Sequence, residues 1–138
     1  FKKLIPYLKR YNVKIALENI YDWDEKKIRQ IYVSHPRNLN NYILDIDSPY
    51  FGFCLDTGHL NLAGGNPTET IKLYGDRLLA VHLHDNHGLT DEHLLPGKGE
   101  IDFDAVKAAL KEISFGGVYN FELKEFNPET DLSLLRNF

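Results

Sequence analysis

Tyr50-Phe51-Gly52-Phe53-Cys54-Leu55-Asp56-Thr57-Gly58-His59 decides how the rest of the sequence is read. It is a short apolar run without polar alternation that stops abruptly at a carboxylate and then turns. A run of that kind belongs to a strand covered on both faces, as in a parallel sheet packed under helices. Three further segments repeat the pattern: Val13–Glu18, Leu78–Leu83 and Val118–Glu122. Each is rich in branched or aromatic residues and reads as a buried strand.

Helical patterns lie between them. Phe1–Tyr11 keeps Leu4, Ile5 and Leu8 on one face, Pro36–Asp45 carries Leu39, Tyr42 and Ile43, and Pro67–Tyr74 carries Ile71 and Tyr74. Asp104–Ile113 places Val106, Leu110 and Ile113 at helical spacing. Asn66 before Pro67 is an N-cap followed by a first-turn proline, and Gly116-Gly117 ends the last of these helices before the final strand. Strand–helix alternation predicts an α/β fold with parallel strands and outer helices. Residues 1–138 form one region with no linker, and Asp85–Asp102 is the longest irregular stretch, rich in His, Asp and Gly. Loops of that length in compact domains tend to be functional or disordered, and this composition favours function.

The four strand ends carry Glu18, Asp56, His82 and Glu122, separated by 38, 26 and 40 residues. An eight-unit α/β barrel of about 250 residues uses roughly 31 per unit and keeps its chemistry at the carboxyl ends of its strands. The spacing therefore predicts the C-terminal half, strands 5–8, of a (β/α)8 barrel. The absence of Met and an opening at Phe1 within a helical pattern fit the same expectation, as does a final helix, Thr130–Phe138, of about two turns. Two open edges of such a half barrel would favour self-association.

Parallel strands would bring three carboxylates and an imidazole to one rim, and carboxylates that close repel unless a cation sits between them. His59, three residues past Asp56, and the Asp91/His93 pair in the long loop form a second set. Five of the six His lie between positions 59 and 93. Imidazole with carboxylate suits zinc, manganese, iron or cobalt, whereas an all-oxygen shell suits magnesium or calcium. Plainer roles exist for each residue. Asp56 fits a cap on the following turn, His82 a satisfied core histidine, and His84 a ligand, a support for one, or a loop anchor. His35 beside Pro36 fits the surface, His87 has no evident partner, and Lys98 in Pro96-Gly97-Lys98-Gly99 fits an exposed turn. The coincidence at four strand ends favours the metal.

Composition narrows the partners. Sixteen Lys and Arg against twenty Asp and Glu give a net charge of −4, which argues against nucleic acid or an anionic membrane as partner. No apolar run approaches the roughly 18 residues of a membrane span. The single Cys54 cannot form an intrachain disulfide, which fits a reducing cytoplasm.

Leu17-Glu18-Asn19, Cys54-Leu55-Asp56-Thr57-Gly58-His59 and Val81-His82-Leu83-His84-Asp85-Asn86 together resemble the xylose-isomerase-like barrels. So do the stretch Asp91–Phe103 and Phe121-Glu122-Leu123. That superfamily includes sugar and sugar-phosphate isomerases and epimerases, inosose dehydratases, and apurinic endonucleases of AP endonuclease family 2. The resemblance implies that Glu18, Asp56, His82 and Glu122 hold a divalent ion (zinc, manganese, magnesium or cobalt), with no organic cofactor. It implies that His59, Asp91 and His93 match second-metal ligands, or that His59 contacts substrate, with His84 and Lys98 in supporting positions. The expected activity is isomerisation or epimerisation of a small sugar, sugar phosphate or keto-polyol through an ene-diolate. Glu18 and Glu122 would transfer the proton while His59 polarises the substrate. The alternatives are hydrolysis of abasic DNA, in which nucleic acid becomes the partner, and a catalytically silent metal-binding domain.

Overall fold

The structure, a computed structural model, describes residues 1–24, 27–29, 32–136 and 138. Four parallel strands form the sheet: β1 (Ile15–Glu18), β4 (Phe51–Asp56), β5 (Leu78–Leu83) and β6 (Val118–Phe121), lying side by side in that order. A separate antiparallel hairpin, β2 (Asp22–Asp24) with β3 (Lys27–Arg29), follows β1 and was not expected. Among the described residues, six α-helices connect or flank the strands: α1 (Ile5–Tyr11), α2 (Pro36–Ile46), α3 (Thr57–Leu62), α4 (Pro67–Tyr74), α5 (Phe103–Glu112) and α6 (Pro128–Leu135). This is the expected α/β arrangement of a partial barrel. Of the expected final helix, position 137 lies outside the described residues.

The helices begin where the sequence supplies a cap. Asn66 accepts from the Glu69 N–H at 3.2 Å, and Asp102 accepts from the Ala105 N–H at 2.9 Å. His35 does the same for α2, taking the Arg37 N–H on Nδ1 at 3.3 Å, with Pro36 in the first turn. Each such cap satisfies a backbone donor that the first turn leaves free, worth about 1 kcal/mol. The apolar faces of these helices then close over one face of the sheet. Leu39, Ile43, Ile71, Val106 and Leu110 pack with Phe53, Leu55, Val81 and Leu83 in a single core.

Strand alternation puts Cys54, Asp56 and His82 on the opposite, concave face. Among the four strands of the parallel sheet, β4 is the one buried along its whole length. β1 and β5 are mixed and β6 is largely exposed, with β1 and β6 at the two edges of the sheet. The register between β4 and β5 shifts at Phe53/Cys54, so Phe53 pairs with Leu78 but Cys54 with Ala80. Gly52 accommodates this irregularity: a Cβ there would run into the Arg77 carbonyl and the Leu79 side chain. Beyond the shift, Asp56 stands level with His82. No helix among the described residues is long and apolar enough to cross a membrane.

Candidate metal centre

Asp56 fills the capping role that the sequence offered, and its carboxylate also lies within the cluster of candidate ligands. As the N-cap of α3 it accepts the His59 N–H on Oδ1 at 2.7 Å, which turns the chain from strand into helix where only a turn was expected. Its carboxylate is fully buried, and both oxygens also face His84 Nε2, at 3.0 and 3.1 Å. Burial alone would raise the Asp56 pKa, yet the His84 hydrogen bond and the positive neighbours outweigh it and hold the carboxyl below its usual range. Asn19, just past β1 and buried, fixes the backbone there. Its Nδ2 donates to the Asp56 carbonyl at 3.0 Å and its Oδ1 accepts the Asp56 N–H at 2.9 Å.

The remaining strand-end residues converge on the same place. His82 Nδ1 lies 3.1 Å from Glu122 Oε1, 3.5 Å from Glu18 Oε2 and 3.8 Å from Asp56 Oδ2. Glu18 and Glu122 come from the two outer strands and Asp56 and His82 from the two inner ones, so the four expected ligands meet across the sheet. Asn120 Nδ2 donates to Glu122 Oε1 at 3.0 Å and steadies that side chain. Cys54 sits among them. Its thiol is pushed up to about 12, first by burial and then by the charges of Glu18, Asp56 and Glu122.

The second set adjoins the first. His59 Nδ1 is 3.2 Å from the Asn19 carbonyl and 3.3 Å from Glu18 Oε1, while Nε2 faces Asp91 Oδ2 at 3.6 Å. Burial lowers the His59 pKa, but the Glu18 hydrogen bond and the Asp56 charge prevail and raise it to about 9. His93 takes a left-handed backbone, φ 52°, which turns its ring inward. There Nδ1 donates to the Glu122 carbonyl at 2.8 Å and Nε2 meets Asp91 Oδ2 at 3.1 Å. His84 is fully buried and stacks on His93 with ring centroids 4.0 Å apart. A Cβ at position 58 would collide with the His84 ring, which explains the glycine in Asp56-Thr57-Gly58-His59. Tyr21 meets His59 edge-on at 5.2 Å and hydrogen-bonds Asp91; its pKa is raised by burial and by that carboxylate.

A buried carboxylate organises the long loop. Asp85 accepts four backbone N–H groups: Asn86 (2.9 Å) and Ile101 (3.1 Å) on Oδ1, Gly97 (2.9 Å) and Gly99 (2.8 Å) on Oδ2. Gly97 has φ 87°, and a Cβ on Gly99 would run into Asp85 and the Asn86 carbonyl. The Pro96-Gly97-Lys98-Gly99 turn is thus shaped around Asp85. Lys98 itself is exposed and lines a cleft of about 520 Å³ together with His93, Lys124 and Asp131. His87, for which the sequence suggested no partner, pairs with Glu92 at 3.0 Å. His35 is occupied by its cap.

All seven residues expected as ligands therefore fall in one continuous cluster. Its chemistry fits a divalent cation. His82 Nδ1, His84 Nδ1 and Asp91 Oδ1 are buried without a hydrogen-bond partner, an expensive state for polar atoms unless something else occupies them. His93 spends Nδ1 on a carbonyl, so in its neutral form Nε2 turns a lone pair toward the Asp91 carboxylate, and two acceptors need a proton or a cation between them. Among the described residues, four triads offer ligand atoms within 4.8 Å of one another: Asp56/His82/Glu122, Glu18/Cys54/His82, Asp56/His59/His84 and His84/His93/Glu122. Asn19, Tyr21 and Cys54 were not singled out from sequence. Their only signal is position, one to three residues past a strand-end Glu or two before Asp56.

The comparisons with known proteins agree with the fold. The inosose isomerase of Bacillus subtilis is 33% identical over 132 residues, covering 86% of this chain and 42% of that protein. The crystal structure of a D-tagatose 3-epimerase-like protein superposes with a TM-score of 0.81 at 33% identity, over 98% of this chain and 50% of that one. IolI protein, crystallised with a bound zinc atom, gives a TM-score of 0.73 at 33% identity over 93% and 45%. The chain spans about two-fifths of the length of curated relatives such as the inosose isomerase, and half of the epimerase-like structure. The sequence model of the xylose isomerase-like TIM barrel matches residues 1–137, and the chain belongs to that family.

Proposed function

We propose that the protein acts, with a divalent metal ion, in the isomerisation or epimerisation of a small sugar, sugar phosphate or keto-polyol. The observation that carries the reading is the approach of Glu18 and Glu122 from opposite ends of the sheet to one imidazole nitrogen, at 3.5 and 3.1 Å. Two carboxylates facing each other across a site are what removal of a proton at one face of a carbon and its return at another require. The names of similar proteins, an inosose isomerase and a D-tagatose 3-epimerase-like protein, support the substrate class. The zinc atom in IolI protein supports the metal.

Glu18, Asp56, His82 and Glu122 would hold the ion, and a divalent ion so placed supplies the positive charge that acidifies a carbon next to a carbonyl. Glu18 and Glu122 each have a second carboxylate oxygen with which to take and return the proton. His59, with its Nδ1 against Asn19 and Glu18, presents its other nitrogen toward Asp91 and a substrate oxygen. His59, Asp91 and His93 would hold a second ion, with His84 bonded to Asp56 behind them.

Proton exchange with solvent tests this directly. Incubated in deuterium oxide with Zn²⁺ or Mn²⁺ and a ketohexose or an inosose, the protein is expected to place deuterium on the carbon beside the carbonyl, followed by NMR. With the metal supplied at saturation, Glu122→Gln should lose exchange by about 10²-fold or more. Full exchange in that variant would refute the acid–base assignment. Metal binding with no exchange on any ketose or inosose would refute the reaction class.

A further inference from the structure

Cys54 lies two residues before Asp56 on the concave face of β4, and the register of the sheet decides its neighbours. On β1 its partner is Glu18, so that carboxylate stands level with the sulfur and not with Asp56. On β5 its partner is Ala80, a single methyl group, and the next residue on that face is His82. Sulfur, a Glu18 oxygen and a His82 nitrogen consequently lie within 4.8 Å of one another. Donors sharing one tetrahedral ion, with bonds of about 2.0–2.3 Å, stand about 3.3–3.6 Å apart, within reach of a small side-chain adjustment. His82 Nδ1 is buried with no hydrogen-bond partner, so the triad also contains a polar atom in want of one.

We propose that Cys54 is a metal ligand. Glu18, Cys54 and His82 form a position that takes a borderline or soft divalent ion (zinc, cobalt or cadmium) in preference to magnesium or manganese. The proposal rests on reading the strand ends as a metal centre and adds its sulfur donor. Thiolate is the soft member of the set, and ligand softness is the means by which a site discriminates among ions of equal charge and similar size. As the metal–sulfur bond forms, the thiol proton passes to solvent, so oxidation states are unchanged.

The composition makes the test unambiguous. With one Cys and no Met, the chain has a single sulfur atom, and any sulfur-to-metal band must come from Cys54. The protein is stripped with a chelator and titrated with Co²⁺, following visible d–d bands and the near-ultraviolet sulfur-to-cobalt charge-transfer band. Both are expected. Cys54→Ser should keep the d–d bands and lose the charge-transfer band, and should weaken Cd²⁺ binding by about tenfold or more while leaving Mn²⁺ nearly unchanged. Cys54→Ala provides the same comparison with a smaller, apolar replacement, and circular dichroism checks that both are folded. The parent spectrum is decisive by itself: d–d bands without a charge-transfer band overturn the sulfur ligand and leave the metal centre standing. No cobalt bands at all overturn both.

Discussion

Replacing Asp85 by Asn changes one atom and should cost the protein much of its stability. The Asp85 carboxylate is fully buried and accepts four backbone N–H groups between 2.8 and 3.1 Å. An amide keeps one acceptor oxygen and replaces the other with a donor, so two of the four N–H groups lose their partner and face an NH₂ instead. Hydrogen bonds to a charged group contribute about 1.5–3 kcal/mol each, so the loss of two predicts about 3–6 kcal/mol. Against a total of about 5–15 kcal/mol for a typical domain, that leaves little in reserve. Urea unfolding at pH 7 measures the global part. If the loop opens alone, hydrogen exchange detects it: a loss of 3 kcal/mol accelerates exchange of the Gly97 and Gly99 amides by about 10²-fold. Unchanged protection at both glycines, with stability within about 0.5 kcal/mol of the parent, would refute the view that this carboxylate holds the loop.

Two further substitutions probe the surroundings. Gly58→Ala should displace the His84 ring, loosen its bond to Asp56 and weaken zinc binding by about 10-fold or more, as losses of groups supporting a metal ligand do; isothermal titration reads it, and unchanged affinity refutes the packing argument. Asp104, at the start of α5, is held below the ordinary carboxylate range by the Lys107 hydrogen bond at 2.9 Å and by its charge. Because folding lowers this pKa, its stabilisation is present at neutral pH and lost as pH falls through the folded value. In Lys107→Ala the Asp104 carboxyl should titrate at higher pH by NMR, and an unmoved titration refutes the pairing.

The fold was legible because buried parallel strands leave an unmistakable trace. Phe51 to Leu55 has no polar residue to compete, and Asn66-Pro67 announces a helix start by itself. The convergence of Glu18, Asp56, His82 and Glu122 was legible because strand alternation and regular spacing are properties of single segments. What escaped depends on pairs far apart in the chain. Asn19 serves Asp56 from 37 residues away, and Asp85 serves Gly97, Gly99 and Ile101 from 12, 14 and 16. Nothing in Pro96-Gly97-Lys98-Gly99 says whether its glycines surround an external anion or an internal carboxylate. The six-residue helix α3 was read as a turn because it is too short to show an apolar period. The β2–β3 hairpin was missed because its two strands have three residues each.

Glu18, Asp56, His82 and Glu122 come from four different strand ends, with intervals of 38, 26 and 40 residues between them. The entropy of closing such intervals grows only logarithmically, about 0.6 kcal/mol for each doubling of length. Insertions in the connecting helices and loops would therefore barely disturb the meeting of Glu18, Asp56, His82 and Glu122. The same separation makes the contacts among these four residues long-range ones, which slows folding and delays the centre until the whole sheet has paired. A bound ion would then report completed topology, and the chemistry is insulated from the segments best suited to change in evolution.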